Sequence, residues 1–128
     1  MSNKLNNNYN KSMNFQSLGV DDPKLVIFEL LNGLNNKLQS TITYLDKGKG
    51  NQAKESAKKA QNIAFALRTA LDHNGGGEIA ENLDFLYAHI HLATDKFIKN
   101  DTKNLLDSAL FVSSEILSGW KGLVNKIA

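Results

Sequence analysis

Apolar residues recur along most of this chain at spacings of three and four positions, the period of an amphipathic α-helix. Three short polar segments, DKGKGN, HNGGG and KNDTKN, interrupt the pattern and divide the chain into four stretches of similar length. We predict helices at residues 23–46, 52–72, 78–99 and 102–121. The period-two alternation that is typical of strands is absent from the sequence.

Each stretch carries one apolar stripe that a neighbouring helix has to cover. The second stripe consists largely of small residues that allow close approach, Ala53, Ala57, Ala60 and Ala64. The third contains Ile79, Leu83, Leu86, Ile90, Ala93 and Phe97. Four stripes joined by loops of about five residues predict an all-α, antiparallel up-down-up-down four-helix bundle. Its most buried residues should be Ile27, Leu34, Leu38, Ala60, Leu67, Leu83, Leu86, Ile90, Val112 and Ile116.

The first twenty residues differ in character from the rest. Six of the first fourteen are asparagine, which offers nothing to bury, so residues 1–20 are expected to be a mobile segment before a bundle domain at 21–128. An aspartate cap followed by Pro23 marks the start of the first helix. Within the segment, Tyr9, Phe15 and Leu18 are apolar enough either to dock on the bundle or to belong to a plain tail.

The glycine run in GGGEIAENLDFLY, residues 75–87, could hold a phosphate or reverse the chain. A phosphate loop follows a strand and continues with lysine and serine or threonine. Here the run follows a predicted helix, and the next residue is Glu78, which repels anions. We therefore predict a turn between helices, with positive φ at one or more of the three glycines.

Composition narrows the possible functions. There is no cysteine among the 128 residues, which excludes disulfides, thiolate metal sites and cysteine nucleophiles. The net charge is only +2 and Arg68 is the single arginine, so a nucleic-acid partner is not expected. No apolar run is long enough for a membrane span or a secretory signal, which favours a soluble, cytoplasmic protein.

No group of residues has the pattern of a catalytic or metal site. His89 and His91 lie two positions apart on one predicted helix and point about 200° from each other, so they cannot share a metal. His73 lies in a loop, and no nucleophile elbow or paired inward carboxylate is present. We expect no enzyme activity, no metal and no cofactor.

The chain has more apolar residues than four stripes require. On the third helix Phe85, Ala88 and Leu92 lie on a face well away from the Ile79 stripe. On the fourth, a second seam lies about 100° from the first and contains Leu106, Leu110, Leu117 and Val124. These residues either belong to a broad core or to the surface beneath residues 1–19, or they form a groove for an amphipathic helix of a partner.

Three segments of the sequence together resemble a known family. They are KAQNIAFALRTALD (residues 59–72), GGEIAENLDFLYAHI (76–90) and SSEILSGW (113–120). In this order and spacing they are similar to the flagellin-specific export chaperones of bacterial flagella, the FliS family. The sequence departs from that family's usual pattern at Leu31, at the Val20 to Pro23 entry and at Leu117-Ser118, which affects partner contacts more than the fold.

The resemblance implies a cytoplasmic bundle that binds the C-terminal helical region of flagellin, prevents its premature polymerisation and delivers it to the flagellar export apparatus. It also implies that the segment before the first helix, with Tyr9, Phe15 and Leu18, covers part of the groove. The expected groove residues are Phe85, Leu92, Leu106, Leu110, Leu117 and Val124.

Two other functions are alternatives to this interpretation. The C-terminal EILSGWKGLVNKIA places Trp120, Lys121 and Lys126 as an interfacial helix on a membrane surface would. An enzyme or metal protein built in a bundle core would instead need glutamates and histidines in the stripes, which contain mainly alanine, leucine and isoleucine.

Overall fold

The computed structural model describes residues 22–127, together with the side chains of residues 22–122. Its four helices are α1 (Pro23–Asp46), α2 (Gly50–Thr69), α3 (His73–Asn100) and α4 (Leu106–Ile127). Residues 22–127 contain no strand, and the predicted all-α class is confirmed. Helix α1 has the predicted bounds, whereas α2 ends at Thr69 rather than 72 and α4 begins at Leu106 rather than 102.

Helix α1 begins and ends with the signals present in its sequence. The Asp22 carboxylate accepts a hydrogen bond from the backbone amide of Lys24 at 2.9 Å and so caps the first turn. At the other end Gly48 has a φ of 73°, and its amide and the next one donate back to carbonyls of the last turn. This left-handed glycine closes the helix and turns the chain toward α2.

The four helices form an antiparallel ring in chain order. Helix α1 packs on α2 and α4, and α3 packs on the same two helices. The main buried cluster draws on all four: Leu31, Leu34, Leu38, Ala60, Ile63, Ala64, Leu67, Tyr87, Ile90, Ala93 and Ala109. A smaller cluster at the end of the bundle where α3 finishes contains Ala53, Ala57, Phe97 and Leu106.

Helix α2 contributes small side chains to both clusters. Ala53, Ala57, Ala60 and Ala64 are all completely buried, as the sequence predicts for this stripe. Alanine fills little volume, so the backbone of α2 lies close to its neighbours, while α1 and α3 supply most of the larger side chains. Helix α2 itself adds Ile63 and Leu67 to the main cluster. The interior is therefore packed asymmetrically around α2.

Most of the predicted core residues lie in the core. Leu34, Leu38, Ala60, Leu67 and Ile90 are buried. A further set is half-buried and packs against the main cluster: Ile27, Leu83, Val112 and Ile116. Leu86 is also half-buried.

The prediction that Ile79 belongs to the buried stripe of α3 is wrong. Ile79 is 71% exposed, because it lies at the end of the bundle, where the described part of the chain does not cover it. The inward positions near this end are instead Ala80 and Tyr87, at 3% and 2% exposure. The periodicity is right for α3, but the centre of its buried face is rotated toward Tyr87.

The glycine run is a turn, as predicted. Gly77 has φ 52° and ψ −128°, a conformation outside the helical region, so α3 is kinked there and runs regularly only from Glu78 onward. A short helical turn precedes the kink and is capped by Asp72, whose carboxylate accepts from the amide of Gly75 at 2.9 Å. This extra turn was not predicted from the sequence, because glycine residues disfavour helix formation.

Polar contacts set the register between α2 and α3. Arg68 Nε donates to the Asp84 carboxylate at 2.8 Å, and the Gln61 amide donates to Asp95 at 3.2 Å. The later residue of α2, Arg68, contacts the earlier residue of α3, Asp84, as expected for two antiparallel helices. The hydrogen bond from Arg68, together with its charge, lowers the pKa of Asp84 despite the opposing effect of desolvation.

We expect Gly77→Ala to lower the free energy of unfolding by about 1 kcal/mol or more, because alanine is strained at positive φ. Gly119 in α4 is a matched control, since open space surrounds the position of its missing Cβ. Gly119→Ala should stabilise the protein by about 0.5–1 kcal/mol, because glycine weakens a helix interior. Urea denaturation measures both, and a Gly77→Ala variant at least as stable as the parent would contradict the turn assignment.

We also expect Asp84→Asn to destabilise the protein at neutral pH and to have a progressively smaller effect in acid. The pKa of Asp84 is lowered in the folded state. Its contribution to stability is therefore present above the unfolded value of about 3.9 and is lost as pH falls through the folded value. A double-mutant cycle with Arg68→Met, measured by urea denaturation at pH 7 and pH 3, should show weaker coupling at pH 3 than at pH 7.

Candidate partner-binding surface

Four large apolar side chains lie exposed on one side of the bundle and form the candidate site. The exposed fractions are 61% for Phe65, 74% for Phe85, 47% for Leu92 and 65% for Phe111. They belong to α2, α3 and α4, with α3 in the middle. We call these four residues the α3 surface.

The position of Phe65 follows from the register of α2 on α3. Phe65 lies between Gln61 and Arg68 along α2, and those two residues contact Asp95 and Asp84 of α3. Phe65 is therefore level with the middle of α3, between the levels of Asp84 and Asp95. At 61% exposure its ring lies at the outer edge of the α2–α3 contact.

Phe111 borders the same region from the opposite side. His89 Nε2 of α3 lies 2.9 Å from the Ser108 hydroxyl of α4, which places these two residues at the same level. Phe111 follows Ser108 by one helical turn, and α4 runs antiparallel to α3. Phe111 is therefore level with the turn that contains Phe85, on the α4 side of the α3 surface.

The two α3 residues point outward because of helical geometry. Phe85 precedes the buried Tyr87 by two positions, and Leu92 follows the buried Ile90 by two. Each therefore points about 200° away from a core residue. Phe85 and Leu92 are themselves seven residues apart and lie on one face. Helix α3 thus has one apolar face in the core and another in solvent.

The six groove residues expected from the sequence do not form one surface. Phe85 and Leu92 are exposed as expected, but Leu106 is only 2% exposed and packs in the smaller core cluster. It is therefore a core residue, because α4 turns it toward the α2 alanines and Phe97. The side chain of Val124 lies outside the described residues, as do Tyr9, Phe15 and Leu18.

The other two α4 residues face α1 rather than α3. Leu110 and Leu117 are half-buried against the main cluster. They lie one turn on either side of Ser113 and Ser114, which accept hydrogen bonds from the Asn35 amide of α1 at 3.3 and 2.8 Å. Much of the second seam of α4 therefore serves the core, which was one of the alternatives left open by the sequence.

Phe65 and Phe111 were missed as candidate surface residues. Phe65 directly follows the buried Ala64, and Phe111 follows the buried Ala109 by two positions. Each is therefore turned at least 100° away from its stripe. A count of large apolar residues outside each stripe would have found both, but only the helix packing shows that they lie at the same level of the bundle as the exposed residues of α3.

A second apolar feature is a pocket at the end of the bundle where α1 begins. Its volume is about 200 Å³, and it is lined mainly by apolar side chains, among them Ile27, Leu67, Leu71, Ile79, Leu83, Tyr87 and Trp120. Burial raises the pKa of Tyr87 to about 12, so its phenol stays neutral. The exposed Ile79 is part of this pocket, which gives that residue an environment other than the core.

Other candidate chemistry from the sequence finds no support in the geometry. Among the described residues, no three histidine, aspartate or glutamate side chains are grouped as a metal site requires. No helix in that part of the chain has the length and apolarity to cross a membrane. Trp120 donates through Nε1 to the Lys24 carbonyl at 2.9 Å and packs on the main cluster, so its indole ring is already engaged within the bundle.

Comparison with known proteins gives consistent matches. The family model described as "Flagellar protein FliS" matches residues 5–127. The flagellar secretion chaperone FliS of Vibrio cholerae is 30% identical over 88% of this chain and 82% of its own length. That of Salmonella typhimurium is 31% identical over 81% and 78%. Flagellar secretion chaperone FliSB of Pseudomonas aeruginosa is 44% identical, over about half of each chain, 51% and 52%.

Proposed function

The chain belongs to the FliS family, and on that basis we propose that it is a flagellar secretion chaperone whose cargo is the C-terminal helical region of flagellin. The family consists of chaperones and not enzymes, which agrees with the prediction of no catalytic activity. We place its action in the cytoplasm, before the cargo reaches the flagellar export apparatus.

The observation that carries the proposal is the α3 surface. Groups of exposed large apolar side chains mark interaction sites on proteins. Phe65, Phe85, Leu92 and Phe111 present apolar groups from three helices along one side of the bundle. A partner helix with an apolar face can lie along such a surface and bury these side chains, which is a common mode of peptide recognition.

The same contact explains how a chaperone of this kind would act on its cargo. A flagellin helix whose apolar face lies on the α3 surface cannot use that face to contact another flagellin. Polymerisation is then prevented by occupancy alone, without turnover or a cofactor. Release at the export apparatus requires only that the flagellin helix leave the α3 surface for another binding site.

We further propose that the N-terminal segment covers part of the apolar surface when no cargo is bound. The described chain starts at Asp22, close to the end pocket, because the neighbouring Lys24 carbonyl accepts from the pocket residue Trp120. Leu18 precedes Asp22 by four residues, a length that spans about 13 Å when extended. Leu18 can therefore reach the pocket, and Phe15 and Tyr9 can reach further along the bundle.

We expect Phe85→Asp and Leu92→Asp each to weaken the binding of a flagellin C-terminal fragment tenfold or more. A large apolar side chain buried at a contact contributes about 1.5–3 kcal/mol, and 1.4 kcal/mol corresponds to a factor of about ten. Titration calorimetry measures the affinity. The fold should survive, because both side chains lie outside the core.

Leu25→Asp provides the matched control. Leu25 is also exposed, at 43%, but it lies on α1, across the ring from α3. This variant should bind flagellin like the parent, and circular dichroism should show all three variants folded. Parental affinity in both α3 variants would reject the α3 surface as the cargo site. No binding by the parent protein would reject flagellin as the cargo.

Removal of residues 1–19 should leave the affinity for the same fragment unchanged or increase it. A segment that competes for the apolar surface reduces the apparent affinity for the cargo, which is proportional to the fraction of molecules whose surface is free. Calorimetry on the truncated protein tests this. A clear loss of affinity would show that the segment contacts flagellin rather than competing with it.

A further inference from the structure

The outer face of α3 changes charge from one end to the other. Glu78 and Glu81 lie at its amino-terminal end, and Lys96 and Lys99 lie at its carboxy-terminal end, with Phe85 and Leu92 between them. The successive positions 78, 81, 85, 92, 96 and 99 differ by three, four or seven residues and so share one face. All of them are exposed.

Each flanking helix adds one charge of the matching sign at one end. On α4, Glu115 follows Phe111 by one turn, and because α4 is antiparallel to α3 this brings Glu115 toward the acidic end. On α2, Lys58 precedes Phe65 by two turns and lies on the same helix face, toward the basic end. The apolar centre of the α3 surface therefore has acidic groups at one end and basic groups at the other.

A helix that binds here meets opposite charges at its two ends. Its amino terminus carries about half a positive charge and its carboxy terminus about half a negative charge. The dipole of α3 alone would favour an antiparallel partner. However, Glu78 and Glu81 place two full negative charges at the amino-terminal end of α3, which outweigh a half charge. At the carboxy-terminal end Lys99 pairs with Asp95 at 3.3 Å, and Lys96 adds a further basic charge on the same face.

We propose that the α3 surface binds the flagellin helix parallel to α3, with its amino terminus over Glu78 and Glu81 and its carboxy terminus over Lys96 and Lys99. This inference rests on the proposed function and adds the direction of the cargo helix. Exposed charges of this kind contribute to orientation and register more than to affinity. The direction should therefore depend on ionic strength more strongly than the affinity does.

Disulfide trapping tests the direction, because the chain contains no cysteine. Asn82→Cys and Asn100→Cys introduce one thiol near each end. They leave every charge in place and are five turns apart on the same side of α3. The probes are two synthetic peptides of the flagellin C-terminal helix, one with an amino-terminal and one with a carboxy-terminal cysteine.

The amino-terminal thiol should cross-link to Asn82→Cys at least tenfold faster than to Asn100→Cys, and the carboxy-terminal thiol should show the reverse preference. Leu25→Cys on α1 should cross-link with neither peptide above background. Equal rates at the two α3 positions, or the opposite preference, would overturn the parallel orientation while leaving the proposed function intact. Failure of either peptide to bind the parent protein in calorimetry would overturn both.

A charge-inverted protein tests the cause of the preference. Glu78→Lys, Glu81→Lys, Lys96→Glu and Lys99→Glu combined keep the net charge at +2 while exchanging the two ends. In this variant the cross-linking preference should reverse, and an unchanged preference would reject the charges as the cause. If circular dichroism shows that it does not fold, Glu78→Gln with Glu81→Gln replaces it and should reduce the preference at least threefold; an undiminished preference would again reject the charges.

Discussion

The close packing of α2 against its neighbours is the constraint on which the rest of the structure depends. Its stripe of alanines is completely buried and brings the helix backbone near the core, while α1 and α3 supply the large side chains that fill the interior. Phe65 follows the buried Ala64 by one position and Phe85 precedes the buried Tyr87 by two, so each is turned at least 100° from a residue that its helix buries. Phe65 and Phe85, on the two helices that meet along this contact, therefore lie outside the core.

This arrangement produces a rigid helical frame with apolar groups on its exterior. The free protein keeps large side chains in water, and their burial against a partner releases about 1.5–3 kcal/mol for each one that is fully covered. Because the side chains stand on helices already fixed by the core, little conformational entropy is lost on binding. The core packing that fixes the helices thus holds these exposed residues ready for a partner.

The polar contacts between helices have a geometric role more than an energetic one. The Arg68–Asp84 pair and the Gln61–Asp95 hydrogen bond are half-exposed, and pairs of this kind contribute little stability. They do fix the level at which Phe65 stands beside α3. The Arg68 guanidinium pairs with Asp84, and Asp95 also pairs with Lys99, so the end-to-end polarity of the α3 surface comes mainly from Glu78, Glu81 and Lys96.

The sequence by itself determined the secondary structure and most of the core. A period of three and four residues defines a helix and its faces locally, and caps such as Asp22 and left-handed glycines such as Gly48 mark helix ends from local geometry alone. Sequence could show that α3 has two apolar faces, one with Ile90 and one with Phe85. It could not show which neighbour would cover which face.

Only the tertiary structure decided how the remaining apolar residues divide between core and surface. Leu106 is buried and Phe111 is exposed on the same helix, and Ile79 is uncovered although it lies on the apolar side of α3. These outcomes depend on the rotation of each helix about its axis and on the level at which its neighbours end. The physical reason is that a side chain's direction is set within one helix, whereas its burial is set by the volumes of side chains on the others.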